Sequence, residues 1–443
     1  MSVSTSSELD CCILTFNCAR ELVDSDLFAS HLHAALAAAT DPPDILVLAL
    51  EELAPIPYSF IGGSYILPYI LRFQLAVDAL IKLWDGRGAV RYEKVASLNA
   101  GMTALLVFAQ PDVARDIEKV DTAAVRLGNY ELGNKGAVVA RLHYRKGGDQ
   151  IATQLTFVGA HFAPGEERCE RRNSDWRTVV ENTLLEPIRP HKDRRLSPIA
   201  DEEAEEGAPL LSDTSQSDHS RGLYSPDSHL FVAGDLNYRT SDRGPPPGDA
   251  QQWPQPGDSR AFTDAFGSLL ASDQLTRERR AGRTLHHLQE AEISFAPTYK
   301  YSSDAQQHAA GSGNADKTSL DPWAAHRVPS WCDRVLFKAC DGNIRVESYQ
   351  SLPLLSSSDH QAVLLRVSVP LRSSSQDTGG THQMPPPPFE ISQHAGTRAV
   401  RSRSKEYAVG VAALVALTWE GRLMFLGALA GAVGGWAILQ SLI

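Results

Sequence analysis

The chain has 443 residues, enough for one large domain or two to three small ones, and its 43% hydrophobic content supports a sizeable core. The formal net charge of −11 argues against general electrostatic gripping of nucleic acid, which needs a basic surface, but leaves room for a small basic pocket. The six cysteines form no CxxC pair and no zinc-like spacing with histidine, and the first ten residues lack the basic start and apolar core of a secretory signal, so free thiols in a reducing compartment are expected.

In chain order, the first strand-like run is "CCILTF", which ends on Asn17. A helix is expected over Asp26–Ala39, then the strand "DILVLAL" running into Glu52, then a helix over Leu67–Trp84. Three strand-like runs follow, "TALLVFA", "GAVVARLHY" and "TQLTFVGAH", the last ending on His161. A mixed-charge helix is expected over Glu166–Leu185. Residues 190–228 are acidic and rich in Ser and Asp, a composition that predicts a disordered insertion. The strand "HLFVAG" leads to Asp235, and loops are expected over 241–258 and 302–326. The strands "DRVLF" and "QAVLLRVSV" close a domain spanning 8–370. Closely spaced strands that outnumber helices predict an α/β fold of largely antiparallel sheets, packed face to face and covered by helices.

Residues 371–405 contain "MPPPPF" followed by basic residues and read as a linker, with a reach on the order of 30 Å if flexible. Leu423–Ile443 is 21 residues without a charge, long enough to span a bilayer as a helix. A shorter apolar run, Tyr407–Trp419, precedes it, and either an interfacial or an inserted position is open for that run. The expected membrane tail is therefore 407–443, with Arg398, Arg401, Arg403 and Lys405 as a cytosolic basic flank. A tether of this kind predicts that hydrolysis of soluble substrates is indifferent to the tail.

Polar residues recur where apolar strands end: Asn17, Glu52, His161, Asp235 with Asn237, Asp333, and Asp359 with His360. Singly, each reads as a turn cap, and Asp333 reads as an ion-pair partner of its neighbour Arg334. Together they supply what metal-assisted hydrolysis of a phosphate ester requires. Magnesium takes hard oxygen ligands and keeps several waters, so Glu52, helped by Asn17 or Asp359, suffices. Asp235 is the candidate to orient and deprotonate water, and Asn237 can donate to the transition state. A histidine contacting a phosphoryl oxygen works best as a cation, so Asp333 is read as the carboxylate that orients and charges His360.

The motifs "FVAGDLNYR" and "RVPSWCDRVLF", with "TFN", "ELGNKGAV", "GAHFAPGEERCERRN", "APTYKY" and "SSDH" in the same order, resemble the inositol polyphosphate 5-phosphatases of the DNase I-like superfamily over about residues 11–369. That resemblance implies a four-layer sandwich of two mainly antiparallel sheets flanked by helices, followed here by a C-terminal transmembrane helix. It implies Glu52 and Asn17 at a magnesium ion, Asp235 and Asn237 at the attacking water, His161 and His360 on the scissile phosphate, and Asp333 and Asp359 beside His360. It further implies that Lys135 and Arg239 face the phosphorylated ring, and that Tyr299, Lys300 and Arg327 receive the neighbouring phosphate. Glu51 stands where the family often has glutamine, and Ala325 where many animal members have lysine, which weakens the expected adjacent-phosphate pocket. The order of domain and tail is similar to that of a small tail-anchored yeast member acting on phosphatidylinositol 4,5-bisphosphate at the endoplasmic reticulum. The implied partners are a phosphoinositide substrate and a membrane, with no nucleic acid. A nuclease of the same superfamily and a non-catalytic phosphoinositide-binding tether are the competing readings.

Overall fold

The computed structural model describes residues 8–37, 41–84, 91–148, 151–188, 219–258, 260–311, 322–372 and 386–442. The part of the expected acidic insertion over 190–218, residues 312–321 of the second loop and residues 373–385 of the linker lie outside these residues.

Two sheets stack face to face. One has the order β12-β13-β1-β2-β4-β3, built from Arg345–Ser351, Val363–Pro370, Glu8–Asn17, Ile45–Glu51, Thr103–Ala109 and Glu93–Ala100. The other has the order β10-β11-β9-β7-β6-β5-β8, built from Gln289–Glu290, Asp333–Lys338, Ser228–Asp235, Thr153–His161, Lys135–Tyr144, Ile117–Leu127 and Glu186–Pro187. Each is antiparallel except for one parallel pair, β1 with β2 and β7 with β9. Side chains alternate across each strand. Ile13, Val47 and Leu105 therefore meet Val138, Phe157 and Phe231 between the sheets. Their neighbours Leu14, Leu48 and Leu106 face helices α1 (Ser25–Leu36) and α3 (Leu67–Trp84). Val139, Val158 and Val232 face α5 (Cys169–Asn182) on the opposite surface. The four layers expected from the motifs are thus present.

The outer strands were not visible in the sequence. β3, β5 and β12 interleave charged or polar residues with apolar ones and are largely half-buried or exposed. They become strands because a neighbouring apolar strand offers a hydrogen-bonding edge.

The C-terminal region departs most from expectation. The end of the proposed linker is helical: α9 runs from Ala395 to Leu417 and packs on α2 (Ile56–Ile61). The apolar run after Tyr407 lies in this docked helix, with Gly410 and Leu414 buried. At Gly410 a side chain would place its Cβ 2.8 Å from Cβ of Phe60, so only glycine permits this approach. The chain turns at Thr418 (φ −111°, ψ 152°) and continues as α10, Trp419–Leu442. Within Trp419–Ser441 an 18-residue window has a mean hydropathy of 1.7 and no buried residue, so this helix is long and apolar enough to cross a membrane.

Candidate active site

Strand ends from both sheets converge on one edge of the sandwich. In the two parallel pairs, Asn17 lies opposite Glu51 and His161 opposite Asp235. β11 runs antiparallel to β9 with Asp333 opposite Asp235. Asn17 Nδ2 donates to Asp235 Oδ2 over 2.9 Å and thereby ties the two sheets together at this edge.

Asp235 is the hub. Its Oδ2 lies 3.3 Å from His161 Nε2 and 4.0 Å from His360 Nε2. Burial would raise its pKa, but the bond to His161 and the charges of His360 and Lys135 outweigh it, holding the carboxyl far below the usual range. Lys135, the first residue of β6, lies with Nζ 2.6 Å from His161 Nε2 and 3.3 Å from Glu52 Oε1. Burial and then the Lys135 charge push the His161 pKa down.

His360 is its counterpart. Its Nδ1 is 3.0 Å from Asp333 Oδ2, which also accepts from Thr298 Oγ1 over 2.6 Å. Burial alone would lower its pKa, but the charge and hydrogen bond of Asp333, then Asp235 and Asp359, lift it to about 9. The reading of Asp333 as a partner of Arg334 is corrected here. Adjacent strand residues point to opposite faces. Arg334 reaches Asp273 at 3.0 Å and Glu290 at 2.6 Å, away from the site.

Asn237 (φ 58°) donates from its backbone to Asp235 Oδ1 over 3.0 Å and from Nδ2 to the Phe162 carbonyl over 3.1 Å. Arg239, 2% exposed, bonds Asn237 and lies 4.4 Å over the Tyr299 ring, whose centroid is 4.4 Å from that of His360. Arg239 Nη1 is buried without a hydrogen-bond partner, an arrangement suited to an anion. Lys300 pairs with Asp359, whose Oδ1 is 3.9 Å from His360 Nε2. Arg327 is peripheral, 38% exposed and 3.5 Å from Glu166, but its loop hydrogen-bonds along Tyr299 and Lys300 through Ser330 and Ala324.

Glu52 (φ 45°) follows β2 and pairs with Arg20 at 3.2 Å and with Lys135. Burial opposes its ionisation, but Lys135, His161 and Arg20 keep its pKa below the ordinary glutamate value. Glu52, 23% exposed, and the Asn17 amide oxygen, which accepts from Ala19 N over 3.0 Å, are hard-oxygen donors of the kind magnesium takes. Asp235, Asp333 and His360 also offer ligand atoms within 4.8 Å of one another. Within this cluster His360 Nδ1 lies 3.0 Å from Asp333 Oδ2, which joins the three side chains in one hydrogen-bond network.

Three contributors were not read from the sequence: Thr298 on Asp333, Arg20 on Glu52, and Glu51 as a site component. Glu51 is fully buried, accepts from Thr15, and has its pKa raised well above normal by burial, Asp235 and Asp333. Thr298 lies within "APTYKY", the signal that could have found it.

The sequence model of endonuclease/exonuclease/phosphatase family 2 matches residues 14–366. The chain belongs to this family. Among relatives of the family, phosphatidylinositol 3,4,5-trisphosphate 5-phosphatase 1 of Homo sapiens is 29% identical over 277 residues, 62% of this chain and 19% of that one. A polyphosphatidylinositol phosphatase of Saccharomyces cerevisiae is 26% identical over 324 residues, 72% of this chain and 23% of that one. The chain thus spans about a fifth of the length of these relatives. The inositol polyphosphate 5-phosphatase domain of a synaptojanin, solved with inositol (1,4)-bisphosphate and a calcium ion, superposes with a TM-score of 0.56 at 19% identity, covering 91% of both chains. A Cimex nitrophorin superposes at 0.51 with 17% identity over 83% of this chain and 100% of that one, so the family's sandwich alone does not decide chemistry.

Proposed function

We propose that the chain is a magnesium-dependent phosphatase that hydrolyses the 5-phosphate of phosphoinositides, converting phosphatidylinositol 4,5-bisphosphate to phosphatidylinositol 4-phosphate at a cytosolic membrane surface. The observation that carries this reading is the arrangement around Asp235: His161 at 3.3 Å and His360 at 4.0 Å from its Oδ2, Lys135 on His161, and an Arg239 with a buried Nη1 that has no hydrogen-bond partner. Such a pocket is built for a polyanion attacked by water. The relatives that share the motifs are named for 5-phosphatase and polyphosphatidylinositol phosphatase activity.

In this reading Asp235 accepts a hydrogen bond from the attacking water. Held far below the usual carboxylate range, it stays ionised throughout the working pH range and orients the water. Asn237 has a second Nδ2 proton available for the developing charge beyond the one given to Phe162. His360 presents Nε2–H to a phosphoryl oxygen, with Asp333 fixing the ring through Nδ1. Lys135 and Arg239 face the ring phosphates, and Lys300, Tyr299 and Arg327 border the neighbouring phosphate. Glu52 and Asn17 would hold magnesium, which when bound supplies charge neutralisation at the reacting phosphate.

α10, long and apolar enough to cross a membrane, supports a reaction at a membrane surface, and the basic residues ahead of it support a cytosolic domain at the endoplasmic reticulum. The test is phosphate release from a panel of lipid and soluble inositol phosphates, with and without magnesium, run beside plasmid nicking. Release from 5-phosphorylated substrates alone is expected. Nicking without release would make it a nuclease, and neither activity would make it a binding tether.

A further inference from the structure

Helix α9 carries a carboxylate that has no role in a tether. Glu406 is fully buried although it lies far along the chain from the sandwich. Its Oε2 accepts from Arg126 Nε over 2.6 Å and from Arg403 Nη1 over 3.0 Å. Arg403 also donates to the carbonyls of Phe60 and Ile61 at 2.9 and 3.2 Å, fastening α9 to α2. Glu406 Oε1 has no hydrogen-bond donor and rests on two turns, against Gly101 (φ +55°) and Gly133 (φ +79°). A Cβ at Gly133 would meet that oxygen first, and one at Gly101 would lie 2.0 Å from the Gly133 carbonyl oxygen and 2.7 Å from Glu406 Oε1, so the two turns pack on each other and on the carboxylate.

Those turns lead directly into the site. Met102 N donates to the Gly133 carbonyl over 3.1 Å, and the Met102 carbonyl accepts from Leu53 N over 3.1 Å. Leu53 follows Glu52, and Lys135 lies two residues beyond Gly133. The two side chains at the ends of these paths meet, Lys135 Nζ to Glu52 Oε1 at 3.3 Å. Outside the turn, Arg398 of α9 holds Glu131 at 2.8 Å.

We propose that α9 is a positioning element of the active site. Through Glu406 the membrane tail holds the Gly101 and Gly133 turns that set Lys135 against Glu52, so turnover depends on the tail's docking even when the substrate is soluble. This deepens the phosphatase reading and rests on it.

The test uses the full-length protein in detergent micelles, with inositol 1,4,5-trisphosphate as the probe. The variants are Glu406→Gln, which keeps the volume and removes the charge, and Gly410→Ala, which pushes α9 off α2 without touching Glu406. Both should lower kcat per folded molecule by about tenfold or more, as small displacements of catalytic groups do. Both should also speed amide exchange of residues 101–103 and 133–135, while amides of β1 and β9 keep their protection. Wild-type kcat per folded molecule in either folded variant, or unchanged exchange in those turns, would overturn the proposal. If the wild-type protein releases no phosphate, the phosphatase reading fails, and the exchange comparison still decides whether α9 holds the turns.

Discussion

Asp333 and Arg334 are neighbours on one strand with separate tasks, and their variants should separate cleanly. Asp333→Asn keeps the shape of the residue but removes the charge that stabilises protonated His360, so turnover should fall on the order of 100-fold with a smaller change in KM. Arg334→Ala removes the ion-pair partner of buried Asp273 and leaves Glu290 with Arg279 alone. It should cost about 3–5 kcal/mol of stability, read as a lowered denaturation midpoint, with turnover per folded molecule retained. Asp235→Ala should reduce turnover by roughly 100- to 10,000-fold while the melting temperature holds or rises. The pH dependence follows from His360, whose pKa lies above its ordinary value at about 9. The active, protonated form is lost as pH rises, so the alkaline limb of kcat should lie near that value and move toward neutrality in Asp333→Asn. The sign for stability is the same: this group's contribution is fully present below the unfolded histidine pKa of about 6.5 and is lost as pH rises through the folded value. An alkaline limb unmoved in Asp333→Asn would show that His360 is not the group being titrated.

At the scale of elements, α9 and α10 part company at Thr418. The first packs on the domain, and the second leaves the large apolar side chains of its span exposed and touches protein near its start, at α9 and at Tyr65. Deleting residues from Trp419 onward should therefore leave kcat on inositol 1,4,5-trisphosphate within about twofold, because no site residue touches α10. Hydrolysis of the lipid in intact membranes should fall, since the local concentration supplied by the anchor is gone. Loss of soluble-substrate turnover in this deletion would place part of the catalytic support in α10. The strands tell a similar story of context. β1, β2 and β9 were legible because they are unbroken apolar runs, whereas β3, β5 and β12 were not, because their polar residues sit on exposed or half-buried faces.

For the whole molecule, the sandwich and the membrane helix predict a protein that resists alkaline carbonate extraction from cell membranes. Recovery in the supernatant would show that Trp419–Ser441 is not a span. The sequence by itself determined much of this protein: the α/β sandwich, the residues of the catalytic edge and the apolar tail are all carried by local runs and ordered motifs. Even the pairing of Asp333 with His360 could be reasoned from what a cationic histidine needs. Tertiary structure alone decided which carboxylate each cation meets. It sent Arg334 to Asp273 and Glu290, put Thr298 on Asp333, and buried Glu406 against Arg126 and the Gly101 and Gly133 turns. The reason is physical. Periodicity and composition report which residues are apolar and how often they recur, but an ion pair between residues 280 apart depends on a packing geometry that no local window contains. A basic run that reads as a linker is, in the folded chain, part of a helix packed on α2 and on the Gly101 and Gly133 turns.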